Sequence, residues 1–352
     1  MAEAALEKFS ADFLTERLRA SGVLPRGRVI AVDAGERYPA IISMAAPLRL
    51  EYSSDAPQEA PTRLFLKATR GGLDPGLRSI GEREVTFYRH AAPLMPDGPI
   101  PRCYDAEYAD GSFHLLLDDL SQTHTTITTW PLPPSDEACE RIIDTWASFH
   151  AFWWRHPSLG RGLGTFLDES ALLTITAEYG ERYARFARTL DDRLWPAARA
   201  IYTRVQQARE RLITPERLYA TYTLGHGDAH VWNMLYPRDG VAARIVLIDW
   251  DGWRIGRAAA DLAYMMAVHW YPERRARLEA RFLERYHIGL CAHGVTDYSL
   301  ERLWEDYRLS LIGHLALPVW QQTFGLPPAV WWPHLHRIIA AFEDLDCAEF
   351  LA

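Results

Sequence analysis

Cysteine is scarce in this sequence, and its spacing does not suit the structures that depend on it. The 352 residues include 4 cysteines, at Cys103, Cys139, Cys291 and Cys347, and no two of them form a Cys-x-x-Cys pair. Disulfide frameworks and structural zinc sites need cysteines paired at short spacings. The pattern therefore argues against both classes and favours reduced thiols, most of them buried.

Long apolar runs and an excess of positive charge are also missing. No stretch of 18 residues is uninterruptedly apolar, and residues 1–8 carry charge early, so the sequence predicts neither a membrane span nor a secretory signal. The 38 basic residues are outnumbered by 46 acidic ones, which leaves a formal net charge of −8. A nucleic-acid surface needs clustered positive charge. We therefore expect a cytoplasmic protein that binds neither nucleic acid nor membrane; the sequence indicates no oligomeric state.

Tryptophan is absent from the first part of the chain, since all 13 tryptophans lie at or after Trp130. That first part has short apolar runs separated by Gly, Pro, Ser and Asp, which predict an antiparallel sheet. The predicted strands are residues 29–32, 40–43, 48–52, 64–68 and 113–117, with helices over residues 5–22 and 81–92. Later segments have helical periodicity, at residues 137–154, 175–188, 274–286, 300–315 and 335–350. We place a boundary near residues 118–123.

One segment interrupts the helical part with a hairpin signal. Residues 234–236 and 244–250 are strand-like, and Pro237-Arg238-Asp239-Gly240 between them ends in the turn dipeptide Asp-Gly. A hairpin brings the start of its first strand near the end of its second. We therefore expect Asn233 and Asp249 to lie close together.

Residues 226–233 have the side-chain spacing of a kinase catalytic loop. His226 comes two positions before Asp228, and Asn233 follows Asp228 in the pattern D-x-x-x-x-N. Phosphoryl transfer needs a carboxylate that orients the attacking hydroxyl and accepts its proton, and oxygen ligands for a magnesium ion. Asp228 suits the first role and Asn233 with Asp249 the second. The pattern predicts phosphoryl transfer.

Lys67 stands alone among apolar neighbours in the predicted strand at residues 64–68. Its ammonium group suits the α- and β-phosphates of a nucleotide if a carboxylate holds it, and the next predicted helix offers Glu82 and Glu84. Taken alone, Lys67 is equally consistent with a solvated lysine on an edge strand. The catalytic segment downstream favours the phosphate role.

These segments together resemble the aminoglycoside phosphotransferase and choline kinase superfamily, and most closely its ecdysteroid-kinase-like branch. The resemblance spans roughly residues 60–310 and rests on Phe65-Leu66-Lys67, Glu84-Val85-Thr86-Phe87-Tyr88, Leu115-Leu116-Leu117-Asp118-Asp119-Leu120, Phe149-His150-Ala151, residues 226–233, Ile248-Asp249-Trp250 and Asp261-Leu262-Ala263. It implies an α+β, two-lobed protein-kinase-like fold. An antiparallel nucleotide-binding lobe would cover residues 1–120, and a larger, mainly helical lobe residues 121–352.

The resemblance also implies residue roles, with ATP and Mg²⁺ as cofactors. Lys67 and Glu84 would form the ion pair that positions the phosphates. The adenine would meet the backbone of a hinge that includes Leu117, Asp118, Asp119 and Leu120.

In the catalytic segment, Asp228 would be the base, and Asn233 and Asp249 would bind magnesium. Asp261 would brace the loop, and His226 would orient it. His230 would be either a hydrogen-bonding loop residue or a phosphate contact.

Two departures from the protein-kinase pattern bear on the substrate. Gly35 is the only glycine between Val29 and Leu50, so the Gly-rich loop is missing and another turn, around residues 33–38, would cover the phosphates. Asp261 follows Asp249 by only 12 positions, which leaves no room for a long activation loop. A small hydroxylated compound is therefore favoured over a protein substrate. Asp251 also stands where the branch would have glutamine.

Two other functions fit part of the pattern. A metal-dependent hydrolase would use His226, Asp228 and His230 as ligands, but it leaves Lys67 and Asn233 unexplained. A pseudokinase would bind nucleotide without turnover and would ordinarily lack a catalytic residue. The four expected here are all present: Lys67, Asp228, Asn233 and Asp249.

The acceptor is the least determined part of the prediction. Tryptophans in the helical part would either line an apolar or cation-binding pocket or pack helices: Trp153, Trp154, Trp270, Trp304, Trp320, Trp331 and Trp332. An aminoglycoside would need a heavily acidic cleft. We expect a largely apolar or amino-alcohol acceptor.

Overall fold

The computed structural model describes residues 8–39, 43–70 and 78–352. The chain divides into two compact units. The first runs to Ile127 and also contains Asn233–Trp253, and the second consists of Thr128–Trp232 and Arg254–Ala352. The segment that carries Asn233 and Asp249 thus clusters with the N-terminal sheet, although the sequence assigned it to residues 121–352. The lobe boundary at residue 120 stays a prediction.

An antiparallel sheet dominates the first unit. Its strands are β1 (Val29–Ala34), β2 (Tyr38–Pro39), β3 (Ser43–Tyr52), β4 (Arg63–Thr69), β5 (Cys103–Ala109) and β6 (Ser112–Asp118). The strand order is β1-β3-β4-β6-β5, with β2 paired to β3. The predicted antiparallel sheet is confirmed. Of the strand expected at residues 40–43, only Ser43 lies among the described residues.

One hydrophobic cluster of this unit forms on a single face of the sheet. Side chains alternate along β4, where Leu64, Leu66 and Ala68 are buried and the residues between them are partly exposed. Helix α1 (Ala11–Ala20) adds Leu14 and Leu18 to the same core. It begins later than the periodicity suggested, because the Ser10 hydroxyl accepts the Phe13 N–H and caps the helix there. Residues 5–7 of that predicted helix lie outside the described chain.

The predicted hairpin is present in the first unit. Strands β9 (Met234–Pro237) and β10 (Val246–Leu247) pair antiparallel, with Leu247 opposite Met234, and β7 (His124–Thr125) pairs with the other side of β9. Helix α2 (Arg78–Thr86) matches the helix expected over residues 81–92 and continues as a π-helical turn, Phe87–Ala91.

The second unit is mainly helical. Its helices are α3 (Asp136–Phe152), α4 (Glu169–Leu190), α5 (Pro196–Leu212), α6 (Pro215–Leu218), α7 (Ala259–Ala263), α8 (Pro272–Ala292), α9 (Leu300–His314), α10 (Ala316–Thr323) and α11 (Pro328–Asp344). Two short strands, β8 (Thr223–Gly225) and β11 (Arg254–Gly256), pair antiparallel. This mixed α+β architecture, with an antiparallel sheet and a helical part, confirms the predicted fold class.

The helix predictions differ from the structure at α5 and α11, and the shorter helices α6, α7 and α10 were not predicted. The periodicity at residues 335–350 misplaced α11, which begins at Pro328 and ends at Asp344. Helix α5 was missed, although its buried Ala198, Ile201, Tyr202 and Val205 are spaced as in an amphipathic helix. Among the described residues, no helix is both long enough and apolar enough to cross a membrane.

Helices α3 and α8 are joined by a row of ion pairs. Acidic residues every fourth position on α3 meet arginines every fourth position on α8: Asp136 with Arg277, Glu140 with Arg281 and Asp144 with Arg285. Each pair is separated by the same 141 positions, so the two helices run in the same direction. Because most of these side chains are exposed to solvent, which screens their charges, each pair contributes little to stability.

Candidate active site

Lys67 lies at the centre of a charged group in the first unit. The alternation along β4 turns its side chain to the face opposite the buried Leu66. Lys67 Nζ lies 2.7 Å from Glu84 Oε2 and 2.5 Å from Asp249 Oδ1. The structure thus brings together three predicted residues from a strand, a helix and the end of the hairpin.

Burial and charge act in opposite directions on this group. Burial alone would lower the pKa of Lys67, but the carboxylates of Glu84 and Asp249 outweigh it and raise that pKa above its usual value. Burial raises the pKa of Glu84, and Lys67 opposes that rise. Lys67 is therefore a permanent cation. The Glu84 side chain is 1% exposed, whereas that of Asp249 is 39% exposed and accessible to a ligand.

Aromatic packing fixes Asp249 relative to helix α2. Trp250, the next residue, is buried and stacks on Phe87 with ring centroids 3.9 Å apart and an interplanar angle of 7°. Trp253 Nε1 donates a hydrogen bond to the Arg83 carbonyl at 2.7 Å. Asp249 itself has φ = 67°, in the left-handed region that is unfavourable for a residue with a Cβ. The contacts of Trp250 and Trp253 hold this turn and thereby set the direction of the Asp249 carboxylate.

Asn233 lies at the other end of the hairpin. The Ile248 N–H donates to the Asn233 carbonyl at 3.0 Å, so the backbone of Asn233 runs beside the residue that precedes Asp249. Amide and carboxylate oxygens are the hard ligands that Mg²⁺ prefers, and Mg²⁺ usually takes only one or two protein side chains besides waters and phosphates. This pair fits such an ion chemically.

The loop at residues 226–228 belongs to the second unit and is held by a buried carboxylate. Asp261 Oδ2 accepts the N–H of His226 at 2.7 Å, and Asp261 Oδ1 accepts the N–H of Gly227 at 2.9 Å. Gly227 has φ = 81°, which glycine adopts without strain. His150 Nε2 lies 3.2 Å from Asp261. Burial would raise the pKa of Asp261, but His150, His226 and the loop amide lower it to about 2.

His226 is buried and part of the same scaffold. Its Nδ1 accepts the Asp228 N–H at 3.3 Å, and its ring lies edge-on to Trp146 with centroids 5.8 Å apart. The loop conformation is thus fixed by hydrogen bonds to its backbone. These contacts suit a loop-positioning role for His226, as the resemblance implied.

Tyr264 and His230 contact Asp228 within its own unit. The Tyr264 hydroxyl donates to Asp228 Oδ1 at 2.5 Å, and His230 Nε2 lies 3.4 Å from Asp228 Oδ2. Burial would raise the pKa of Asp228, but the charge and hydrogen bond of His230, with Tyr264 and His226, lower it well below its usual value. A carboxylate in this setting is ionised and oriented.

Tyr264 was missed by the sequence reasoning. It follows Asp261 by three positions, a spacing that places both side chains on the same face of a helix. That spacing was the available signal, since Asp261 was already expected beside the catalytic loop.

A group of aromatic and imidazole rings extends from Asp228. The His230 and His269 centroids lie 5.5 Å apart, those of His269 and His334 4.7 Å apart, and those of Tyr264 and His314 5.4 Å apart. Burial lowers the pKa of His269 well below the usual value, and it lowers the pKa values of His334 and His314 to about 4. These three histidines are therefore neutral at pH 7.

The predicted hinge residues have contacts inside the first unit. Leu117 and Asp118 are the last two residues of β6, and Asp118 accepts a hydrogen bond from the Tyr104 hydroxyl. Asp119 forms an ion pair with Arg63 at 2.8 Å and accepts the Ser121 N–H at the start of the turn that contains Leu120. Asp118 and Leu120 also line a groove of about 680 Å³. Their contact with adenine stays a prediction.

The tryptophans are mostly packing residues where the structure describes them. Trp153, Trp270 and Trp331 are buried in the second unit, whereas Trp320 is 43% exposed and stacks on Phe324. Across the described residues, no group of three or more His, Cys, Asp or Glu side chains is arranged to hold a metal ion. The site expected for the hydrolase alternative is thus not found there.

Comparison with known proteins gives one family and a set of related folds. The family model described as "Phosphotransferase enzyme family" (APH) matches residues 58–304. A microcompartment-associated aminopropanol kinase superposes with a TM-score of 0.53 at 13% identity, covering 96% of this chain and 97% of the other. A GDP complex of a mutant aminoglycoside 2′-phosphotransferase-IIIa superposes with a TM-score of 0.50 at 13% identity, covering 97% and 99%. The curated proteins contain no match.

Proposed function

Because the chain belongs to the phosphotransferase enzyme family, we propose that it is a small-molecule kinase, which transfers the γ-phosphate of ATP to a hydroxyl group of a largely apolar or amino-alcohol compound. Within the family we place it nearest the ecdysteroid-kinase-like branch, on the sequence motifs alone. Mg²⁺, bound by Asn233 and Asp249, would neutralise phosphate charge.

The observation that carries the proposal is the double pairing of Lys67. A lysine held by Glu84 at 2.7 Å and by Asp249 at 2.5 Å is ordered before any nucleotide binds. Phosphate oxygens are stronger competitors for an ammonium group than a single exposed carboxylate. We therefore propose that a bound nucleotide takes Lys67 from Asp249 and frees that carboxylate for the metal, while Glu84 keeps its pairing. Chemistry of this kind depends on positioning and charge stabilisation.

Asp228 would act on the acceptor. Its carboxylate would accept a hydrogen bond from the acceptor hydroxyl, align the oxygen with the γ-phosphorus and take the proton as the new P–O bond forms. The bond from the γ-phosphorus to the bridging oxygen breaks, and ADP leaves. Tyr264 and His230 support this role because they keep Asp228 ionised and fixed in direction. His226 and Asp261 would position the loop without touching substrate.

The acceptor class rests on the surroundings of Asp228. The described neighbours are Tyr264, His230, His269 and His334, which form aromatic surface that includes the neutral imidazoles of His269 and His334 and adds no carboxylate. A polycationic aminoglycoside would be poorly matched by such a surface, whereas an apolar alcohol or an amino alcohol with one ammonium group suits it. This supports the acceptor expected from the sequence.

The proposal is tested by an ATP-consumption screen over amino alcohols, sterols, macrolides, aminoglycosides and hydroxy acids. We expect turnover with an apolar or amino-alcohol member, and Asp228→Ala should lower kcat by about 10³ or more while leaving MgATP affinity nearly unchanged. Turnover stimulated only by highly cationic compounds would contradict the acceptor class. Wild-type turnover in Asp228→Ala would contradict the assigned base.

The pseudokinase alternative makes a different prediction in the same assay. It requires MgATP binding without turnover for every acceptor, and Asp228→Ala would then change nothing. Isothermal titration with a non-hydrolysable ATP analogue separates binding from turnover. Absence of binding together with absence of turnover would count against both functions.

A further inference from the structure

A small cavity lies inside the helical unit. It has a volume of about 130 Å³ and is lined by residues of α4, α5, α9 and α10, by the segment between α5 and β8, and by the segment between β11 and α7. Most of its wall is apolar, including Leu212, Leu309 and Ile312. Among the residues that the structure describes, the only charged ones in the wall are Arg209 and Arg257, and no carboxylate lines it. The cavity is thus small, apolar and positively charged.

Arg209 is buried without a counterion. The residue is 8% exposed, and its guanidinium carbon lies 3.9 Å from the centre of the Tyr179 ring. Within the described part of the chain, no carboxylate lies within ion-pair distance of Arg209, and its Nε has no hydrogen-bond partner. The buried hydroxyl of Tyr179 is also without a partner there. Arg209 and Tyr179 both line the cavity, and each has a polar atom without a hydrogen-bond partner among the described residues.

Arg257, on another wall, provides the contrast. Its Nε lies 3.4 Å from Asp306 Oδ1, and its guanidinium donates to the Arg217 carbonyl at 2.5 Å. Asp306 is fully buried and also pairs with Arg302 at 2.9 Å. The charge of Arg257 is therefore compensated by protein groups, and that of Arg209 is not.

The stacking on Tyr179 does not compensate for the burial of Arg209. A cation–π contact contributes roughly 0.5–2 kcal/mol, whereas removing a charge from water costs several kcal/mol. Burial accordingly lowers the pKa of Arg209. An anion that fits between Arg209 and the apolar wall would replace the lost hydration with charge-assisted hydrogen bonds.

We propose that this cavity binds the carboxylate group of a small, otherwise apolar organic acid. A guanidinium matches a carboxylate in planar, two-point geometry, and the Tyr179 hydroxyl is available as a further donor. The apolar wall suits a short hydrocarbon chain better than a fully hydrated phosphate dianion. Drug-sized ligands occupy about 300–1,000 Å³, so this volume fits only a short acid or the acidic end of a larger molecule. The site does not depend on the proposed kinase activity.

Binding is measured on the full chain without nucleotide, by isothermal titration and thermal-shift assays with acetate, butyrate and inorganic phosphate as probes. We expect butyrate to bind and raise Tm, acetate to bind more weakly and phosphate least. Arg209→Met should weaken butyrate binding by about 10–100-fold, since it removes a hydrogen bond to a charged group. Arg211→Met, an exposed position on the same helix, is the matched control and should bind like the wild type.

Two further variants keep the test decisive if Arg209→Met folds poorly. Arg209→Lys retains the charge but loses the planar fork and should weaken butyrate binding by a few-fold, and Tyr179→Phe should do the same. The proposal is wrong if butyrate does not bind the wild type, if these variants bind it equally well, or if phosphate binds more tightly than butyrate.

The carboxylate belongs either to the phosphate acceptor or to a separate ligand. An assay with hydroxybutyrate and ATP distinguishes these two possibilities. If hydroxybutyrate binds through Arg209 and is phosphorylated, the carboxylate belongs to the acceptor. If it binds through Arg209 and remains unmodified, the ligand is separate from the reaction. Either result upholds the carboxylate site, and turnover that is indifferent to Arg209→Met would contradict the acceptor version.

Discussion

The charged group around Lys67 and the loop around Asp228 belong to different units, and they are built on different principles. Lys67 is held by full charges, through direct ion pairs with Glu84 and Asp249. Asp228 is held by a hydroxyl and an imidazole, with neutral histidines farther out. The first arrangement suits the binding of phosphate charge. The second suits a general base, for which orientation and an ionised state matter more than the size of its charge.

The largest effect that we predict follows from a change in the charged group around Lys67, which we call the first group; the residues around Asp228 are the second group. Lys67→Met removes the cation that two carboxylates hold in place, and those carboxylates are then left to repel each other and the nucleotide. We expect kcat/KM for ATP to fall by about 10²–10³, as on removal of a charge-stabilising donor. Steady-state kinetics at varied ATP provide the measurement.

The chain contains only one other lysine, Lys8, which makes a clean control possible. Lys8→Met removes an exposed ion pair with Glu107 and should leave the kinetics unchanged. A lysine-reactive acyl-phosphate analogue of ATP should label Lys67 in competition with MgATP. Labelling of Lys8 alone would show that Lys67 does not meet the nucleotide.

Asp261→Asn is expected to disrupt the second group, because it changes the hydrogen bonds that hold the backbone of the loop around Asp228. An amide side chain has one acceptor oxygen, whereas Asp261 accepts the N–H groups of both His226 and Gly227. We expect kcat to fall and the free energy of unfolding to fall by about 2–3 kcal/mol, because a buried donor loses its partner. Urea titrations and kcat measured on the folded protein separate the two effects.

The pH dependence of stability tests the same residue. The pKa of Asp261 in the folded protein, about 2, lies below its usual value of 3.8. Its contribution is therefore complete above about pH 4 and is lost as pH falls towards 2. Asp261→Asn should remove that part of the acid sensitivity, and an unchanged acid transition would contradict the assigned contacts.

Tyr264→Phe makes a smaller change, since it removes one hydrogen bond to the proposed base and leaves the loop intact. We expect kcat to fall by about 10-fold. The hydroxyl contributes to lowering the pKa of Asp228, so its removal should move the acidic limb of the kcat/KM profile to higher pH. Tyr222→Phe, a partly exposed tyrosine whose ring contacts Phe166, is the control. Identical pH profiles for the wild type and Tyr264→Phe would contradict the inference that the Tyr264 hydroxyl lowers the pKa of Asp228.

The smallest expected effect concerns His334, which lies at the edge of the second group. Burial lowers its pKa from 6.5 to about 4, so the folded state resists protonation that the unfolded state accepts. The neutral His334 therefore costs the folded state nothing above about pH 7, and the free energy of unfolding declines as pH falls towards 4. Linkage gives a loss of about 0.7 kcal/mol from His334 between pH 7 and pH 6. His334→Gln should show a shallower decline in urea titrations at these two pH values, and parallel declines would contradict burial as the cause.

The first group was predictable from the sequence, because its residues lie in short segments whose own patterns predict their structure. The Asp-Gly turn at Asp239-Gly240 predicts the hairpin, and the hairpin's pairing puts Asn233 beside Ile248. A lone lysine in an alternating strand stands out from its neighbours. Its pairing with Glu84 followed from resemblance to a known family, and the structure shows that contact.

The second group was predictable only in part. Asp228 and its spacing to Asn233 stood out in the sequence, but Tyr264 and the neutral histidines did not. A histidine or tyrosine in a helix has the same local pattern whether it packs in the core or contacts the base. The same ambiguity hid Arg209, whose burial depends on how α4, α5 and α9 pack together.

The sequence by itself determined the catalytic pattern, the hairpin, the antiparallel sheet and the class of reaction, because these depend on short spacings and on alternation along one segment. Only the tertiary structure decided which side chains surround Asp228, why its carboxylate stays ionised, and that Arg209 is buried without a counterion. Those properties arise from desolvation and from contacts between helices distant in the chain. Both are set by packing, which no single segment encodes.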